Sequence, residues 1–268
     1  RESARRVRCQ SNIRQLALGL HTHCEAKGSF PSGATRDWSG WYWRGNCSAQ
    51  GSGPTWIARI LPYLDDTIRY DQINWSTPPG GDPFNEPPDQ PNQTAGKVAL
   101  SLVRCPSDPV DRASANWAPT NYVASVGAAN HTVDTVGRKS GCVAASRQTA
   151  AFYINSHRTF GEFLDGTSST MLISECKVGS PGGTRGYSWI YGQNNAAWTF
   201  STRVPPSDRL SADKEWQVYT YYSFHAARSY HQDGVMVGLA DGSVHLIADR
   251  VEIGCWTYMA TGTGGYIV

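Results

Sequence analysis

The sequence predicts an α+β domain in which one long N-terminal helix packs on an antiparallel β-sheet. Three observations predict it. Residues 2–26 (ESARRVRCQSNIRQLALGLHTHCEA) place Cys9, Ile13, Leu16, Leu20 and Cys24 at spacings of 4, 3, 4 and 4, a single stripe at helical period. Beyond Lys97 the pattern changes to short strands parted by turn residues, at 121–127 (NYVASVG), 170–178 (TMLISECKV) and 235–240 (VMVGLA). Finally, Asp241-Gly242 stands between two apolar runs in residues 234–248 (GVMVGLADGSVHLIA), the signature of a two-residue hairpin turn.

Taken in order, the helix comes first. Gly28, Pro31 and Gly33 end it. Arg1, Arg5, Arg6 and Arg8 crowd its first turns, where the helix dipole disfavours cations. That placement predicts a helix that continues upstream of Arg1, so residues 1–26 read as the final part of a longer helix. Residues 54–73 give a second helical pattern, with Trp56, Ile60 and Leu64 on one face and Pro62 as a break or kink. Residues 74–95 hold six prolines and two glycines and read as a surface loop. In the hairpin, pairing across Asp241-Gly242 predicts Leu239 opposite Val244 and Val237 opposite Leu246, one wholly apolar face. The chain reads as one domain, with a head over residues 27–268.

Composition narrows the function classes. Basic and acidic residues number 24 and 22, a balance that argues against nucleic-acid binding. The 10 Trp, 13 Tyr and 7 Phe require a packed interior. Seven cysteines spread along the chain without a C-x-x-C pair, as disulfide partners are in exported proteins. Four N-x-S/T sites begin at Asn46, Asn74, Asn92 and Asn130. No run of about 20 apolar residues is present.

Motifs for catalysis are missing: no G-x-S-x-G, P-loop or H-E-x-x-H occurs. His231 and Asp241 invite a catalytic reading, but on one extended strand they stand about 30 Å apart. Asp241 then reads as a turn residue, and His231 as a capping or packing residue at the strand start. Ser107-Asp108 reads as a further local turn. His21 and His23 diverge on their helix and cannot chelate together. No cofactor is expected. Calcium at Asp65-Asp66 or at Asp108 and Asp111 is the one metal to weigh, and the spacing fits no calcium loop.

Several segments together resemble a bacterial prepilin-type family abundant in planctomycetes. They are ESARRVRCQSNIRQ at the start, LPYLDDTIRYDQIN, VRCPSDP, TNYVASVG, FLDGTSSTMLISE, STRVPPSD and YMATGTGG. To these add the spacing of His231, nine residues, then Asp241-Gly242. The blocks occur in order over nearly the whole chain. The resemblance implies a pilin or pseudopilin architecture, exported and first anchored in the membrane by a hydrophobic segment upstream of Arg1. It implies His231, Asp241 and Gly242 as structural motif residues. With Cys105 in the recurring CPSD block and Cys9 facing inward, it also implies a Cys9–Cys105 disulfide, with Cys24–Cys47 a second pair.

The functional expectation is therefore a non-enzymatic, cell-surface structural subunit. It assembles with copies of itself, head to tail, through the N-terminal helix. Ala4, Val7 and Leu18 form a secondary apolar edge on that helix, away from the cysteine stripe. The alternative is a glycan-binding or adhesive module. WSGWYW places Trp41 and Trp43 on one face of a strand, and Trp38, Trp189, Trp198 and Trp216 add further aromatic surfaces.

Overall fold

The computed structural model describes residues 1–35, 53–76, 90–127, 150–153, 155–179, 185–192, 195–202, 205–206 and 225–262. Helix α1 (Glu2–Lys27) ends at Gly28, whose left-handed φ of 78° lets its N–H donate to the Cys24 carbonyl at 2.8 Å. Its inward face is the expected stripe: Cys9, Ile13, Leu16, Leu20 and Cys24 are all buried, together with Asn12 and Ala17.

The second helical pattern divides at the proline. Helix α2 (Trp56–Ile60) passes into a 3-10 turn (Leu61–Leu64) that contains Pro62, and Asp65 adopts a positive φ before α3 (Thr67–Asp71). Trp56 and Ile60 are fully buried, and Leu64 packs against the same core. The proline-rich segment is not loop throughout: α4 (Gln90–Gly96) occupies its end. Proline content hid that helix. Asn92 and Ala95 anchor it in the interior, and Asn92 exchanges hydrogen bonds with the Asn74 backbone at 2.7 and 2.9 Å. Buried Asn92 is therefore no surface glycosylation site.

Among the described residues, five strands form one sheet: β1 (Tyr122–Ser125), β2 (Met171–Glu175), β3 (Thr199–Phe200), β4 (Gly234–Leu239) and β5 (Val244–Ala248), in the order β3-β1-β2-β4-β5. All pairs are antiparallel except β1 and β3, which run parallel over two residues. The sheet is thus mixed and not purely antiparallel. Short helix α5 (Asn195–Trp198) delivers the chain into β3, so the parallel pair arises from a crossover rather than a hairpin.

Both faces of the sheet are covered. On one, Tyr122, Ala124, Leu172, Ile173 and Met236 join Ile13, Leu16, Leu20, Trp56, Phe30 and Phe152 in the main core. On the other, Val123, Met171, Val235, Val237 and Leu239 pack with Phe200 and with Trp256 of helix α6 (Ile253–Tyr258). Burial on both faces explains why β2 and β4 read as continuous apolar runs. Helix α1 lies close on the sheet at Gly238, where a Cβ would come within 2.9 Å of Ile13 Cγ2.

The β4–β5 hairpin differs from expectation by one residue. Gly238 pairs with Val244, Val237 with His245 and Met236 with Leu246. The Gly242 N–H donates to the Leu239 carbonyl at 3.0 Å and Gly242 takes φ 82°. Of the two turn residues only Gly242 is left-handed. A two-residue type I′ turn needs both, so the chain makes the longer turn with a glycine bulge. That shift moves Leu246 opposite Met236 and leaves β5 largely exposed at the sheet edge. β4 carries most of the apolar surface, and β5 adds only the partly buried Val244 and Ile247.

Candidate functional site

The residues with chemistry to offer gather where the start of α1 meets the sheet. Glu2 and Cys9 are seven residues apart on α1, two turns, so both point at the sheet. Cys105 follows a 3-10 turn (Ser101–Val103) and is held by its N–H donating to Asn121 Oδ1 at 3.0 Å. The next residues fix that loop. Val110 N–H donates to Asp108 Oδ1 at 2.9 Å, an Asx turn, while Asn121 Nδ2 and Val178 N–H donate to Asp108 Oδ2 at 2.5 and 2.8 Å. Glu175 closes β2, and His231 stands three residues before β4.

Four side chains converge there. Cys9, Cys105, Glu175 and His231 are all buried, and one ligand atom from each lies within 4.8 Å of the other three. His231 Nε2 is 3.5 Å from Cys105 Sγ and 3.4 Å from Glu175 Oε1. On the far side of the ring, Nδ1 donates to Glu2 Oε1 at 2.6 Å. Ser107 Oγ donates to both Glu2 oxygens at 3.0 and 3.1 Å, and the Glu175 Oε2 accepts the Met236 N–H at 2.9 Å. Nearby, Asn12 Nδ2 donates to Tyr122 Oη at 3.2 Å and to the Arg104 carbonyl at 3.1 Å.

Charge follows geometry. Burial alone would depress the His231 pKa, but Cys105, Glu175 and Glu2 outweigh it and raise it to about 10. The ring is then an imidazolium between two carboxylates. The His231 bond in turn holds the Glu2 carboxyl below its usual range, against the effect of burial and with help from Ser107. The Cys9 thiol donates to Cys105 and, with His231, draws the Cys105 pKa down, while Cys9 itself is pushed up by that hydrogen bond and by burial. A reactive cysteine needs exposure, and Cys105 is only 6% exposed. The arrangement suits two tasks: clamping α1 to the sheet, and offering soft donors to a metal ion.

The structure corrects one expectation outright. Cys9 and Cys105 meet, but as free thiols in hydrogen-bond contact rather than as a disulfide. Tyr122 bonds Cys9 and His231 bonds Cys105, with Asn12 holding the Tyr122 hydroxyl, so the sulfurs sit in a polar cluster. Cys24 is also a free, buried thiol. Its expected partner Cys47 lies outside the described residues, as do Trp41, Trp43, Trp38 and Trp216. Asp241 takes no part in the cluster: its Oδ1 accepts the Ser243 N–H at 2.8 Å and the Ser243 hydroxyl at 2.6 Å within its own turn. Gly242 is the left-handed residue of that turn, 3.6 Å (from its would-be Cβ) to the His21 ring. At the two calcium candidates, one carboxylate of each pair already has partners. Asp66 pairs with Arg69, and the Asp108 carboxylate is taken by the three donors above. Trp189 and Trp198 are fully buried, which removes them as sugar platforms.

Sequence reasoning missed Glu2 and Glu175. The seven-residue spacing from Glu2 to Cys9 was a usable signal for the first. Glu175 carried none, because its position follows from strand register, with Tyr122 paired to it across β1 and β2.

Nothing among curated proteins or solved structures matches the chain. A family described as "Protein of unknown function (DUF1559)" matches residues 1–254, which take in α1, all five strands and the whole four-residue cluster. The chain belongs to the DUF1559 family.

Proposed function

We propose that this protein is a non-enzymatic structural subunit of an extracellular, pilus- or pseudopilus-like filament, assembling with copies of itself through α1. One observation carries the reading most of the way. While one stripe of α1 is sealed against the sheet, Ala4, Val7 and Leu18 lie along its outward side, with Val7 and Leu18 64% and 65% exposed. A neighbouring helix laid along that side covers both.

A groove that meets this face at Ala4 adds charge. Ala4, Arg5, Arg8, Ser101, Arg104 and Pro106 line an open groove of about 400 Å³ beside α1. Arg5 pairs with Glu2 at 3.7 Å and Arg104 donates to the Val110 carbonyl, so Arg8 is the groove's cation for an acidic group of a head-to-tail neighbour. On this reading the protein is exported, held at the membrane before assembly and displayed at the cell surface afterwards. The resemblance to prepilin-type sequences supports it.

The test is a charge placed on the outward face. Leu18→Glu in the full-length protein is expected to abolish assembly in electron micrographs while circular dichroism and Tm stay unchanged, because Leu18 touches no core. Assembly that persists unchanged in Val7→Glu/Leu18→Glu would contradict the α1 interface.

A further inference from the structure

We propose that Cys9, Cys105, Glu175 and His231 form a closed, four-ligand site for a divalent zinc ion, which fastens α1 to the sheet. This goes beyond the filament reading and does not depend on it.

The donor set and its spacing carry the inference. Tetrahedral zinc with about 2.3 Å to sulfur and about 2.1 Å to nitrogen or oxygen needs donors separated by about 3.4–3.8 Å. Two edges of the cluster already have such lengths, 3.5 Å from Nε2 to Cys105 Sγ and 3.4 Å from Nε2 to Glu175 Oε1, and all four donors lie within 4.8 Å of one another. Two sulfurs, an imidazole nitrogen and one carboxylate oxygen suit zinc and exclude a hard, oxygen-seeking cation such as calcium or magnesium.

Two further observations point into the same space. Glu175 Oε1 is buried and accepts no hydrogen bond, although Oε2 of the same carboxylate does; its one cationic neighbour among the described residues is the His231 ring at 3.4 Å. Once the Nε2 proton is displaced, the zinc ion supplies the positive charge that this buried oxygen requires. On the other side of the histidine, Glu2 Oε1 accepts a hydrogen bond from Nδ1–H at 2.6 Å. A carboxylate on the distal nitrogen orients a ligating imidazole and leaves Nε2 to coordinate.

The proton balance is simple. Zinc displaces the protons of both thiols and the Nε2 proton of His231, and no electron moves. Two thiolates, a carboxylate and a neutral imidazole bring three negative charges to two positive ones. Four protein ligands leave no open position for substrate, so the ion is structural. It joins residue 9 of the helix to the loop at 105, the end of β2 and the segment before β4.

The experiment titrates the reduced, metal-free full chain with Co²⁺ and then Zn²⁺ under anaerobic conditions. The expected result is one ion per chain, with thiolate-to-cobalt charge-transfer absorption and the strong visible bands of tetrahedral cobalt, both abolished as Zn²⁺ displaces it. Cys105→Ser and His231→Ala are expected to weaken Co²⁺ binding at least tenfold, while Cys255→Ser, at an exposed thiol, leaves it unchanged. Because those site variants risk misfolding, X-ray absorption at the zinc edge of the wild-type protein supplies a second reading: two sulfurs and two nitrogen or oxygen neighbours are expected. A folded, reduced chain that takes up no stoichiometric Co²⁺ or Zn²⁺ overturns the proposal. So does a zinc shell without sulfur, or native protein in which Cys9 and Cys105 are joined as a disulfide.

Discussion

His231 Nδ1 donates to Glu2 Oε1 across 2.6 Å of space and 229 residues of chain. This contact, with Arg6 Nη2 donating to the Gln232 carbonyl at 3.2 Å, ties the first turns of α1 to the segment that leads into β4. Removing the ring leaves Glu175, 1% exposed, as an uncompensated buried carboxylate. His231→Ala is therefore expected to cost about 3–5 kcal/mol in chemical denaturation. Glu2→Gln is expected to cost about 1 kcal/mol or less, because the Glu2 side chain is 40% exposed and screened. Its signature is local: faster amide exchange in the first two turns of α1, with residues 16–24 unaffected.

The turn at Asp241-Gly242 separates a structural role from a chemical one. Gly242 has φ 82°, and a β-branched residue resists that conformation. Gly242→Val is expected to lower stability by about 1–3 kcal/mol. Asp241→Asn keeps the acceptor that Ser243 uses and is expected to change stability by less than about 0.5 kcal/mol. Thermal denaturation of the two variants checks both.

Gly238 sets the depth at which α1 seats on the sheet. A methyl group there meets Ile13 Cγ2 and Ile173 Cγ1, each at 2.9 Å. Gly238→Ala is expected to destabilise by about 1–3 kcal/mol through overpacking. Leu16→Ala, which empties the same interface, is expected to cost about 2–5 kcal/mol. Denaturant midpoints measured for both variants compare the two effects.

A capping box gives the clearest pH dependence. Thr159 N–H donates to Glu162 Oε2 at 2.7 Å and Arg158 Nη1 to Oε1 at 2.8 Å. Burial works against the Glu162 carboxylate, but these bonds outweigh it and hold its pKa below the usual value. A depressed folded-state pKa stabilises above the unfolded carboxylate pKa of about 4.3, and that contribution disappears as pH falls through the folded value. Glu162→Gln is thus expected to be less stable than wild type near neutral pH and to converge with it in acid. Parallel melts from neutral pH down into the acid range check the convergence.

Much of this fold was legible because its signals are local. The helical stripe from Cys9 to Cys24, the break at Pro62 and the glycine turn at 242 each follow from residues within a few positions of one another. What the sequence concealed depends on long-range register. The one-residue shift of the hairpin hung on Asp241 declining a left-handed conformation. The parallel β1–β3 pair joins Ala124 to Thr199, which no periodicity announces. At the site, Cys9 and Cys105 were expected to meet, and they do, but the expected covalent bond is not there. Glu175 and His231 enter between chain segments 56 residues apart in sequence, brought together only by β2 pairing with β4. The Thr159-to-Glu162 spacing, by contrast, is a local capping-box signal that the sequence carries openly.

In the proposed assembly, α1 holds the head together on one side and joins subunits on the other. Electron microscopy of the full-length mature protein, on expressing cells and after purification, tests it most directly. Uniform filaments that vanish with Leu18→Glu are the predicted result. A mature, folded protein that stays monomeric, with no filaments on the cells that make it, would contradict the account.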